Sequence, residues 1–225
     1  MKKITIRNLL FLLMFAGSIA SGCKSMNKTQ KGAIIGAAGG AAVGTAVGKA
    51  AHNTALGAII GAAVGGATGA VIGKQMDKQA KEIAQIPGAQ VKRVGEGINV
   101  TFESGVLFDI DQATINPSAQ TKIKNLADVF QKYPDSYILI EGHTDSTGTA
   151  EHNMALSERR AKAVATYSVA QNVATSRIKT AWYGATQPKF PNNTEANRSQ
   201  NRRVEFAIYA NEAMIDKAKK SGASS

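Results

Sequence analysis

The chain has 225 residues, 44% of them apolar and 19% charged, and a formal net charge of +11. That composition is too apolar for a disordered polymer, and the length holds one ordinary domain plus extra segments. A single cysteine excludes an internal disulfide framework and any multi-cysteine zinc or iron–sulfur site.

Lys2, Lys3 and Arg7 form a positive start, followed by the apolar run Leu9 to Ala16. The run is too short to cross a bilayer as a helix and has the form of a secretory signal. Small residues, Ala20-Ser21-Gly22, lead into Cys23, the only cysteine. This stretch resembles the lipobox of bacterial lipoproteins, which implies lipidation of Cys23 and removal of residues 1–22 as a signal peptide. The alternative is an ordinary signal with a chance cysteine. Processing removes Lys2, Lys3 and Arg7 and leaves +8 on residues 23–225. Lys24 stands where inner-membrane lipoproteins carry Asp, so the resemblance points to a lipid anchor in the outer membrane, facing the periplasm.

After a short lipidated N-terminus (23–31), glycines recur at 32, 36, 40, 44 and 48 and again at 57, 61, 65, 69 and 73. Residues four apart share one helical face, so each series makes a glycine stripe suited to close backbone contact. Twelve glycines between 32 and 73 oppose helix formation in water by roughly 10 kcal/mol of propensity, so partner helices or a bilayer must compensate. The pattern resembles the glycine zippers of envelope lipoproteins. It predicts a helical hairpin over 32–73, inserted in a membrane and offering a face for a homo-oligomer. A flexible spacer and a soluble helical oligomer are the alternatives. Residues 74–96 form a charged linker, helical over Lys74 to Ile86 and closed by Pro87-Gly88.

From Gly97 the texture changes. Ile98–Phe102, Tyr137–Ile140, Arg177–Tyr183 and Arg203–Tyr209 read as strands. Helices start at Asn116-Pro117 and run from Glu151 to Gln171. This order predicts a compact α/β sandwich, βαβαββ, with a mixed sheet and helices on one face. Residues 211–225 complete the chain as a polar tail.

Phe108-Asp109, Glu141-Gly142-His143-Thr144-Asp145, Gly148, Asn153, Leu156-Ser157, Arg160-Ala161, Gly184, Pro188 and Asn201-Arg202-Arg203-Val204-Glu205 stand in one ordered series. Residues 97–210 thereby resemble the OmpA-like C-terminal domain, the peptidoglycan-binding module of OmpA, Pal and flagellar stator proteins. The whole chain resembles a glycine-zipper lipoprotein of the OmpA family.

The resemblance implies binding of the diaminopimelate of peptidoglycan stem peptides, whose free end carries an ammonium and a carboxylate. Asp145 would hold the ammonium and Arg160 the carboxylate, bidentately. Thr144 and Asn153 match pocket positions, and Asp109, Asp111 and Arg203 are further matches around them. The bland alternative is that Asp145 caps a helix and pairs with Arg160 for structure alone. Family spacing selects Arg160 over Arg159, which lies about 100° away on the helix. Strand alternation puts Arg202 and Arg203 on opposite faces. His143 reads as a structural hydrogen-bonding residue.

Alternation points Glu141 and Asp145 to one face, yet no oxyanion site or apolar pocket accompanies them or a His143–Asp145–serine set. Zinc would have only His52, His143 and His152, without an HExxH helix. The sequence therefore predicts no enzyme, no cofactor, no metal and no nucleic-acid partner. The competing reading is a pore-forming or membrane-remodelling protein acting through the glycine hairpin and merely moored to peptidoglycan.

Overall fold

A computed structural model describes residues 54–222. The signal peptide, Cys23 and the first glycine series lie outside the described residues. Helix α1 (Thr54–Gly61) and helix α2 (Gly66–Ile83) come first, then strands β1 (Gln90–Val94) and β2 (Gly97–Glu103) and the short helix α3 (Ser104–Leu107). Helix α4 (Pro117–Lys132), β3 (Ser136–His143), α5 (Ala150–Ala170) and a 3₁₀ turn (Thr175–Arg177) follow. The chain closes with β4 (Ile178–Trp182), α6 (Glu195–Asn201), β5 (Arg203–Ala210) and α7 (Glu212–Gly222).

The five strands order as β1-β2-β5-β3-β4. Only β3 and β4 run parallel; β5 lies antiparallel between β2 and β3, with Gly142 opposite Val204 and His143 opposite Arg203. Alternation sends Ile98, Val100, Phe102, Ile138, Ile140, Phe206 and Ile208 to one face, fully buried. Ile123, Leu126 and Phe130 of α4 and Ala161 and Val164 of α5 cover that face. Phe206 anchors the layer, with Phe102 edge-on at 5.9 Å and Phe130 tilted at 6.4 Å. Both long helices start on designed ends. The Asn116 side chain accepts from Ala119 N before Pro117, and Thr149 accepts from His152 N.

The expected α/β sandwich with a mixed sheet forms, and the structure extends it at both ends. Gln90–Val94, within the stretch read as linker, is an edge strand paired along its whole length with β2. Ile72, Met76 and Ile83 of α2 belong to the main core, so the unit starts well before Gly97. The polar tail is likewise a helix: α7 lies along α2 and buries Met214 and Ala218.

The second glycine series does not form one helical arm. The chain breaks between α1 and α2, where Gly65 and Gly66 take φ of 71° and 62°, a left-handed geometry that only glycine adopts without strain. Beyond the break, α1 crosses to the face of the sheet opposite the other helices. There Ala55 and Ile59 pack on Ala207, Leu139 and Val94. Among the described residues no helix is long and apolar enough to cross a membrane.

Candidate functional site

Where β3 ends and β5 begins, a cavity of about 580 Å³ opens at the end of the sheet. Its walls are the first turns of α5, helix α6, the start of α3 and the loop after Phe108. Five carboxylates line it (Glu103, Asp109, Asp111, Asp145 and Glu195) against the guanidiniums of Arg160 and Arg202. A ligand carrying a cation is favoured there by charge alone.

Asp145 sits just past the last residue of β3, with the residue 4% exposed. One oxygen accepts from Thr147 N at 2.8 Å and the other from Arg202 Nη1 at 2.5 Å. Burial works to raise its pKa, but the bonds from Arg202 and Thr147 outweigh it and hold the carboxyl below its ordinary value. Asp145 is therefore a fixed anion at neutral pH.

Arg160 sits inward on the third turn of α5, 3% exposed, while Arg159 is turned to solvent. Arg160 Nε donates to Gln112 O at 2.9 Å, and the guanidinium lies over the Phe108 ring at 5.1 Å. The side chain is thus gripped at its root. Among the described residues its two terminal nitrogens have no hydrogen-bond partner, which leaves the bidentate edge free for an incoming oxyanion.

Thr144 is anchored by its backbone, N to Gly184 O at 2.9 Å, and Asn153 Nδ2 donates to Thr147 O at 2.9 Å. Both line the cavity, and Asn153 also fixes the loop that carries Asp145. Asp109 and Asp111 stand on the rim, with Asp111 joined across it to His152 Nε2 at 2.8 Å.

Arg203 is not in this cavity. It is 1% exposed on the opposite face, bonded to Glu205 at 2.6 Å and to the carbonyls of Asn201 and Gln187. Arg202 occupies the pocket instead, pairing with both Asp145 and Glu195. The reason is phase: α6 ends at Asn201 and β5 starts at Arg203, so Arg202 is the hinge residue and leaves the sheet towards the cavity. Glu195 and the apolar rim residue Ile110, 95% exposed, also escaped the sequence reading. The alternation rule held a usable signal for Arg202, whereas nothing marked Glu195.

Glu141 and Asp145 do not share a face. Glu141 is fully buried beneath α1, where it accepts from Ala55 N at 3.1 Å, while Asp145 has left the strand and turned into the cavity. His143 faces Glu141's side, stacked on Tyr183 at 5.4 Å, and neither ring nitrogen has a hydrogen-bond partner among the described residues. It is a packed residue rather than a hydrogen-bonding one. Burial, with Arg203 nearby, pushes its pKa down to about 3, so it stays neutral. Neither a His143–Asp145 couple nor a Glu141–Asp145 couple exists. Among the described residues no group of three metal-ligating side chains is assembled.

Residues 107–202, which supply the cavity lining apart from Glu103, Ser104 and Gly105, match the family model described as OmpA family, and residues 1–77 match that of the YMGG-like Gly-zipper. The chain is 37% identical over 121 residues to Probable lipoprotein YiaD of Escherichia coli K12, covering 54% of this chain and 55% of that protein. It is 35% identical over 117 residues to the Peptidoglycan-associated lipoprotein of Brucella melitensis, 52% of this chain and 70% of that one. The chain spans about half the length of YiaD and about a third of the Outer membrane porin F of two Pseudomonas species that it also matches. Among solved structures, the fold is similar to a putative MotB-like protein of Desulfovibrio vulgaris, at 25% identity and a TM-score of 0.56 over 62% of this chain and 89% of that one. With a relative matched across more than two thirds of its length, and with most of the cavity lining inside the matched segment, the chain belongs to the OmpA family.

Proposed function

We propose that this protein is a non-enzymatic tether that joins the outer membrane, through a lipidated Cys23, to the cell wall by gripping the diaminopimelate of peptidoglycan. The single observation that carries the reading is the pocket's pair of poles. Arg160 offers an unoccupied bidentate edge, and Asp145 offers a fixed anion within the same cavity. A zwitterionic ligand end needs both. Its ammonium can take Asp145 in exchange for Arg202, because Arg202 is one-third exposed and keeps Glu195 as a second partner. The printed names of the relatives, lipoprotein and peptidoglycan-associated, support the tether. The separation of Glu141 and His143 from Asp145 supports binding without catalysis.

Co-sedimentation with purified sacculi tests it. Losing one partner of a buried charge pair costs about 2–5 kcal/mol, so Asp145→Ala and Arg160→Ala each weaken binding roughly 30- to 5,000-fold. Arg159→Ala, on the exposed side of α5, binds like wild type. If folded Asp145→Ala and Arg160→Ala both sediment normally, the site is wrong.

A further inference from the structure

The glycine-rich segment enters the domain in an unexpected manner. From Thr54 to Gly73 it carries no charged residue, yet glutamate side chains hold both ends of α1, Glu141 from β3 and Glu96 from the β1–β2 turn. At the start, Ala55 N donates to Glu141, and Thr54 Oγ1 accepts from Gln187 Nε2 at 3.1 Å. At the exit, Val64 N and Gly65 N both donate to Glu96, at the tip of the β1–β2 turn, at 2.7 Å each. Between these latches only Ala55 and Ile59 are buried. Ile59 fits over Gly97, where a Cβ would come within 2.4 Å of its side chain.

That attachment is slight beside the rest of the molecule. An eight-residue helix is marginal alone in water, and two small contacts supply little apolar burial. The hinge next to it, Gly65-Gly66, has the backbone freedom to swing. α2, by contrast, is sealed into the main core by Ile72, Met76 and Ile83. The helix through which the chain leaves towards Cys23 is therefore held much more lightly than the α2 that follows it.

We propose that α1 is a releasable strap, a length of tether stored on the outer face of the sheet and let out without unfolding the domain. The proposal rests on the tether reading for the direction of pull. Tension from the membrane side enters at Thr54, breaks the bonds there first and peels α1 towards the Glu96 latch. Docked, α1 is about 12 Å long; released and extended, residues 54–65 span up to about 40 Å. No residue of α1 or of the turn after it lines the pocket, which keeps its shape throughout.

Hydrogen exchange on the full mature chain in nanodiscs tests this. Amides of residues 55–60 should exchange at least about 100-fold faster than those of residues 206–208 on β5, because local opening there bypasses global unfolding. Ile59→Asp, which places a charge under the strap, should raise exchange over 54–63 about tenfold further while β5 protection and sacculus binding stay as in wild type. Gly65→Ala with Gly66→Ala should act in the same direction, because alanine disfavours the left-handed turn. The proposal fails if α1 is as protected as β5, if Ile59→Asp leaves exchange over 54–63 unchanged, or if it strips the whole domain of protection. Loss of sacculus binding by wild type would defeat the tether reading while leaving the exchange result intact.

Discussion

Two adjacent arginines, Arg202 and Arg203, each form an ion pair, and the two pairs belong to different worlds. Arg203 and Glu205 have side chains 2% and 1% exposed, with Asn99 Nδ2 adding a bond to the carboxylate. Arg202 and Asp145 are 34% and 6% exposed, and Arg202 divides itself between two carboxylates. A sealed pair cannot exchange partners without exposing a bare charge, whereas an open pair can hand its anion to a ligand. One residue of chain separates a sealed structural rivet from a pair open to the cavity.

Breaking the rivet should give the largest effect. Arg203→Ala takes away the guanidinium bonded to Glu205, buried beside Glu141, and removing one partner of a buried pair costs about 3–5 kcal/mol. Urea unfolding should show that loss, or a chain that does not fold at all; an unchanged midpoint would make the sealed pair expendable.

A second test uses pH on the same buried cluster. Burial, and Glu205 beside it, push Glu141 up to about 8 from an ordinary 4.5. Burial would raise Glu205 too, but Arg203 overrides it and holds that carboxylate down to about 2. The folded chain thus keeps a proton on Glu141 that the unfolded chain releases, so this group's contribution falls as pH climbs from about 4.5 to about 8. Glu205 acts in the opposite sense, and its contribution is lost as pH falls from 4.5 towards about 2. Glu141→Gln should flatten the decline between about pH 5 and 8, measured by thermal unfolding. A slope identical to wild type would mean that Glu141 ionises freely.

The smallest effect belongs to the open pair. Exposed ion pairs contribute about 0–1 kcal/mol, so Arg202→Ala should leave the unfolding midpoint nearly untouched. If it destabilises as strongly as Arg203→Ala, the distinction between the pairs collapses.

The central order of strands and helices was legible because Ile98, Val100 and Phe102, or Ile138 and Ile140, alternate strongly enough to declare themselves. β1 did not, since Lys92 and Arg93 give an edge strand the look of a charged linker. The last helix hid for a similar reason: Met214 and Ala218 are its only buried residues in eleven. In the site, Asp145, Arg160, Thr144 and Asn153 were all placed on the cavity, because a motif at a strand end and its helical spacing fix positions locally. Arg203 was misplaced because alternation gives relative faces, and only the first residue of the strand sets which face comes first. The glycine spacing of four ran unbroken through 65, and the sequence had no means of showing that Glu96 would capture the amides there.

Gly142 has one more consequence. A methyl group at that position would lie 2.1 Å from Ser157 O, so α5 rests on β3 backbone against backbone. Asp145 follows Gly142 by three residues and Arg160 follows Ser157 by three. The two poles of the pocket are therefore the jaws of a caliper whose pivot contains no side chain that could yield. The pivot is set by covalent geometry and van der Waals radii, and Gln112 O and the Phe108 ring hold the Arg160 jaw. On the tether reading proposed above, such a gauge would measure the span between a ligand's charges as much as their signs, and would reject a zwitterion of the wrong length however strongly it is charged.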